Sequence, residues 1–61
     1  MKVRDLLKRL ANDGWTVKNQ EGSHRQFIHR RKPGKVTVSG HPSDEVPTGT
    51  LKAILKQAGL K

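Results

Sequence analysis

The spacing of apolar residues changes period twice along this chain, and that switch limits the folds open to it. Val3, Leu6, Leu7 and Leu10 recur at i, i+3, i+4 and i+7, with Ala11 beside them, so the first segment predicts a helix with one apolar face. Leu51, Ile54, Leu55 and Ala58 repeat that spacing near the other end, with Thr48 placed as N-cap and Gly59 as terminator. Between the two helices the pattern shortens to the two-residue period of strands. Trp15 and Val17 alternate with Thr16 and Lys18 over residues 15–19, a second run covers residues 24–30, and Val36 and Val38 supply the apolar side of a third.

The punctuation agrees with this division. Asn12-Asp13-Gly14 stops the first helix, with Gly14 suited to a left-handed cap. Gln20-Glu21-Gly22-Ser23 is polar and turn-forming, and Lys32-Pro33-Gly34-Lys35 carries Pro then Gly in the order of a type II turn. Residues 39–47, with Gly40, Pro42, Pro47 and the pair Asp44-Glu45, are expected to be an irregular, exposed loop. The predicted order is therefore α-β-β-β-α, an α+β fold. Two helices on one face of a three-stranded antiparallel sheet bury both apolar stripes at once and leave the other face wet. Phe27 and Ile28 point to opposite faces of the middle strand, so only one can join the core. Phe27 has the larger apolar surface to bury. Assigning it inward puts His24, Gln26 and Ile28 together on the open face.

At 61 residues the chain is expected to form a single domain, 1–61. A chain this short buries only about 60% of the surface that it exposes when unfolded. It has no cysteine to staple that core, so self-association or a cognate binding protein is expected to help it. Thirteen Lys and Arg against five Asp and Glu give a formal charge of +8, densest at His29-Arg30-Arg31-Lys32. Such an excess points to nucleic acid, because neutralising phosphates releases counterions. With only Trp15 and Phe27 as aromatics, a binder that stacks successive single-stranded bases is not expected. The longest apolar run is Ala53-Ile54-Leu55, far short of the roughly 20 residues of a membrane span. The N-terminus lacks a signal-peptide core, so a cytoplasmic protein with no membrane partner is expected.

His24 is the residue singled out for chemistry. It follows Gly22-Ser23 at the start of the middle strand, held by the sheet yet reachable. Imidazole both takes and gives protons near neutrality. His29, five residues on, falls on the opposite face and reads as a packed or surface histidine. His41, in the loop, is open to two readings: a second proton-transfer or substrate-binding group, or a plain loop residue. Three scattered histidines, no cysteine and no clustered carboxylates make neither a zinc nor a magnesium set, so no metal and no cofactor are expected.

Taken together, these segments resemble the HicA family of small toxins from HicA–HicB toxin–antitoxin pairs. The resemblance rests on Asp13-Gly14-Trp15 after the first helix, Gly22-Ser23-His24 with Phe27 three residues on, and Val36-Thr37-Val38 before a histidine. Gly49-Thr50-Leu51 leading into Ile54-Leu55-Lys56-Gln57-Ala58-Gly59-Leu60 completes it. It implies a fold like the double-stranded-RNA-binding domain, an RNA-cleaving activity on mRNA, and a HicB-like antitoxin that covers the active site. Together with the small size of the chain, this leaves two assemblies expected, a hetero-oligomer with that antitoxin or a homodimer. The family's catalytic histidine falls on His24. The chain departs from the family in carrying Ser39-Gly40 before His41, where members often have a proline.

Metal-free RNA cleavage is expected to need a base for the 2′-hydroxyl proton, cations for the crowded phosphate, and an acid for the departing 5′-oxygen. His24 can be the base or the acid. Lys18, Arg25, Arg30 and His41 are candidate RNA contacts. Gly22 shapes the turn beside the site, and Ser23 either bonds a phosphate or satisfies the turn's backbone. The competing function is a non-catalytic RNA-binding module of the same fold, reading A-form shape through its basic residues.

Overall fold

The computed structural model describes residues 1–60; Lys61, one of the basic residues counted above, lies outside them. The chain runs through α1 (Val3–Asp13), β1 (Trp15–Glu21), β2 (His24–His29), β3 (Val36–Val38) and α2 (Thr48–Gln57). The strands form one antiparallel sheet in the order β1-β2-β3. This is the expected α-β-β-β-α fold, consistent with a double-stranded-RNA-binding-domain-like arrangement. α1 packs on β1 and α2 on β3. Val3, Leu6 and Leu10 of α1 and Ile54 and Ala58 at α2 meet Trp15, Phe27, Val36 and Val38 from one face of the sheet. Phe27 is 3% exposed and Ile28 38%, so the larger ring does take the core position.

Both helices end on glycine. Gly14 adopts φ +109 and its N–H bonds to Ala11 and Leu10 carbonyls, closing α1. Past α2, Gly59 (φ +73) donates to the Lys56 carbonyl and Leu60 to that of Leu55. Those two bonds make a Schellman motif, whose apolar partner Leu60 folds back on the core. The start of α2 differs from the expected side-chain cap. Thr48 is already helical; Pro47 precedes it and no side chain caps the end. The same holds for α1, whose first-turn N–H groups are satisfied from a distance. Val3 donates to the Asp44 carbonyl at 2.9 Å and Arg4 to that of Pro42 at 3.0 Å.

Two further expectations are corrected. The loop before α2 is not simply irregular and exposed. It caps α1, bridges Lys2 to Glu45, and sends Val46 into the core. β1 runs two residues beyond the expected end, through Glu21, leaving only Gly22-Ser23 as the turn. Val17 shares Trp15's face, as alternation requires, yet is 49% exposed. It lies on the outer strand, where the sheet extends past its helical cover.

Two glycines separate the effects of conformation and space. A Cβ on Gly14 would stand 2.8 Å from Nε2 of His29, in a backbone conformation that L side chains rarely adopt. Gly49, in the first turn of α2, has neither restriction. Gly14→Ala is expected to destabilise the protein by about 1–3 kcal/mol. Gly49→Ala should stabilise it by about 0.5–1 kcal/mol. Urea unfolding of the two variants beside the unaltered chain measures both.

Candidate active site on the open face of the sheet

A two-residue hairpin sets the position of His24. Gly22 has φ +59, the positive value needed at the first central position of the primed turns that suit a twisted hairpin. No atom would lie within 4 Å of a Cβ there, so the requirement is conformational rather than steric. Glu21 and His24 form the cross-strand pair that closes the hairpin. Behind the turn, Gln20 Nε2 donates to the Gly22 carbonyl, and Arg25 Nη1 donates to the carbonyls of Ser23 and Gly40.

The register contains one irregularity, and it determines what surrounds His24. From Trp15↔His29 to Val17↔Phe27 the strands pair residue for residue; the next pair is Asn19↔Gln26, followed by Gln20↔Arg25 and Glu21↔His24. Lys18 is the extra residue of a β-bulge. Without it, Lys18 and Gln20 would face Gln26 and His24. With it, Asn19 and Glu21 turn onto the open face instead. β3 adds Thr37 opposite Gln26. Asn19, Glu21, His24, Gln26 and Thr37 line a shallow cavity of about 250 Å³. A larger hollow of about 280 Å³ lies between β3 and the loop before α2, and contains none of the predicted catalytic or RNA-contacting residues.

His24 is exposed, on the wet face as expected. The residues proposed around it are dispersed. Lys18 is exposed at the bulge, and Arg30 is exposed just beyond β2; neither lines the cavity. Arg25 is on the opposite face from His24, its guanidinium bracing the turn and the Gly40 loop. The Ser23 hydroxyl makes no hydrogen bond among the described residues, although its carbonyl accepts from Arg25. His41 lies in the loop, where its N–H bonds to Asp44 Oδ2 at 3.0 Å, and it does not line the cavity. Among the described residues, no three His, Asp or Glu side chains are gathered as a metal set, and no helix is long and apolar enough to cross a membrane.

A family comparison adds to this geometry. The model for the HicA toxin of bacterial toxin–antitoxin systems matches residues 3–60, nearly the whole chain. The chain belongs to the HicA toxin family. No curated protein matches it. Within a HicA toxin this short, Gly22, Ser23 and His24 are the residues that the hairpin presents at the end of the sheet. Glu21 reads from the sequence as a turn residue, and only the long-range register reveals it as the cross-strand neighbour of His24.

His29 has a different fate. Its ring packs edge-on to Trp15, with centroids 5.1 Å apart and planes at 69°. The backbone N–H groups of Arg31 and Lys32 donate to Nδ1, so the proton sits on Nε2 and is donated to the Asp13 carbonyl at 2.7 Å. Lys32 completes the clip, donating to Asp13 Oδ2 at 2.6 Å and to the Ala58 carbonyl at 3.0 Å. It thereby ties the ends of α1 and α2 to the segment after β2. The buried indole N–H of Trp15 has no acceptor in hydrogen-bond geometry among the described residues.

The hydrogen bond from Lys32 holds the Asp13 carboxyl below its usual range, with the Lys32 charge adding to it and partial burial opposing it. A depressed carboxyl pKa means that the unfolded chain binds the proton more readily. The stabilisation is therefore present above the ordinary carboxylate range and is lost as pH falls through the folded value, below about pH 4. Lys32→Met should be less stable than the unaltered protein at neutral pH. Urea titrations carried into acid should show the gap between the two narrowing as Asp13 protonates.

Proposed function

We propose that this HicA-family toxin is a metal-independent endoribonuclease that cleaves mRNA, with His24 as a general acid/base. The observation that carries this reading is the placement of His24: exposed, anchored at a strand start by a constrained turn, and at the lip of a polar cavity. A core histidine would be packed like His29. Instead His24 is on the face that neither helix covers. RNA supplies its own nucleophile in the 2′-hydroxyl, so the protein's task is to move protons and stabilise the phosphate, a role that imidazole can fill.

On this reading a HicB-like antitoxin silences the toxin by covering the open face. The uncovered sheet offers such a partner a continuous surface around His24, and the +8 charge would speed its approach if it is acidic. We place the toxin in the cytoplasm, where mRNA is, and treat residues 1–61 as its one domain.

His24→Ala tests the reading. Cleavage of a defined transcript by the purified protein should fall by about 10²–10⁴-fold. RNA binding in a mobility-shift titration should persist, and toxicity on expression should disappear. A non-catalytic RNA-binding module would be indifferent to the substitution. Activity should also survive EDTA; loss with chelator and rescue by a divalent ion would exclude the metal-independent mechanism.

A further inference from the structure

We propose that Glu21 is the second proton-transfer group of the site, acting as general base toward the 2′-hydroxyl while His24 acts as general acid. This inference rests on the reading of His24 as a ribonuclease residue and adds the partner that such chemistry requires. Two observations support it. The bulge at Lys18 shifts the register so that Glu21, not Gln20, pairs with His24 across the hairpin. Directly opposed residues of an antiparallel pair hold their Cβ atoms about 4.5–5.5 Å apart on the same face. Both side chains then line the same cavity, with Asn19, Gln26 and Thr37 as its other walls.

The composition of that cavity narrows the roles. Among the described residues, Glu21 is its only carboxylate and His24 its only imidazole, and no lysine or arginine lines it. The other acidic side chains have separate positions or partners. Asp13 binds Lys32, Glu45 binds the N-terminus, Asp44 accepts from the His41 N–H, and Asp5 lies in the first turn of α1. An ionised carboxylate has lone pairs and no proton to give, whereas a protonated imidazole can donate. The division of labour follows from that difference. Bulges recur beside active sites because they re-aim a side chain, and here the re-aimed side chain is the acid.

The step balances without a metal or redox partner. Glu21 takes the proton of the 2′-hydroxyl as the O2′–phosphorus bond forms. The phosphorus–O5′ bond breaks, and the proton on His24 passes to O5′. The products are a 2′,3′-cyclic phosphate and a 5′-hydroxyl end. Glu21 then carries the proton and His24 lacks it, which is the state needed for the reverse roles in hydrolysing the cyclic phosphate. The amides of Asn19 and Gln26, which line the same cavity, offer donors for the non-bridging oxygens.

The experiment compares the unaltered protein, Glu21→Gln, Glu21→Asp and His24→Ala on one RNA, with rates measured across pH and product ends analysed. Glu21→Gln should lower kcat by about 10²–10⁴-fold with little change in KM, and should remove the acid limb of the bell-shaped pH profile. Glu21→Asp should retain part of the rate and both limbs. Circular dichroism and urea unfolding should show every variant folded, since both residues are exposed. If His24→Ala is inactive while Glu21→Gln keeps its rate and acid limb, the role assigned to Glu21 is overturned and that of His24 stands. If His24→Ala cleaves like the unaltered protein, or the unaltered protein does not cleave, the underlying reading fails as well.

Discussion

Alternation along β2 decides which side chains the protein buries and which it presents. The strand is central, so its inner face must fill the space beneath both helices, and Phe27 does so. Burying Phe27 forces Ile28, Gln26 and His24 outward. A slip of one residue would expose the ring and bury Ile28 and His24 instead, exchanging the larger apolar surface for a smaller one and taking an imidazole out of water. The accessibility of His24 is thus secured by the largest apolar group on its own strand. Fold stability and placement of the candidate site depend on the same choice.

A domain this small needs further ties, and they are made at the end of the sheet away from His24. Trp15 and His29 form the last cross-strand pair, with the ring of His29 against Gly14. Asp13 and Lys32 then join the C-terminal ends of both helices to the segment leaving β2. The densest basic stretch of the chain is therefore divided in function. Arg30 and Arg31 are exposed, whereas Lys32 is committed to holding the helices. Counting it as free charge for an anionic partner overstates what that stretch can offer.

Much of this architecture was legible because it is local. Both helices, the glycine terminators, β3 and the inward Phe27 follow from periodicity and burial within short windows. What escaped depends on contacts between distant segments. The N-terminus of α1 is capped by carbonyls some forty residues away, so no capping residue marks it. Val46 reads as a loop residue until that cap draws it inward. The bulge at Lys18 has no glycine and no break in strand-like composition to announce it; it exists because β1 and β2 must close on a two-residue turn while keeping Trp15 opposite His29. For the site, the facing of His24 could be read from Phe27. The position of Glu21 could not, because alternation counted from Trp15 puts it on the wrong face.

The bulge also separates two electrostatic tasks that a strongly basic chain tends to confuse. Attraction of a polyanion is a property of the whole field and falls off over about 10 Å at moderate salt. It does not require cations at the reacting atoms. Proton transfer, in contrast, requires groups within hydrogen-bond reach and of different protonation state. On an unbulged β1, Lys18 would stand on the same face as His24, favouring phosphate binding while supplying no base. On the observed register, Lys18 does not line the cavity, and a carboxylate stands beside the imidazole instead. The proposed chemistry is therefore short-range and acid–base, within a molecule whose long-range field is set by residues outside the cavity.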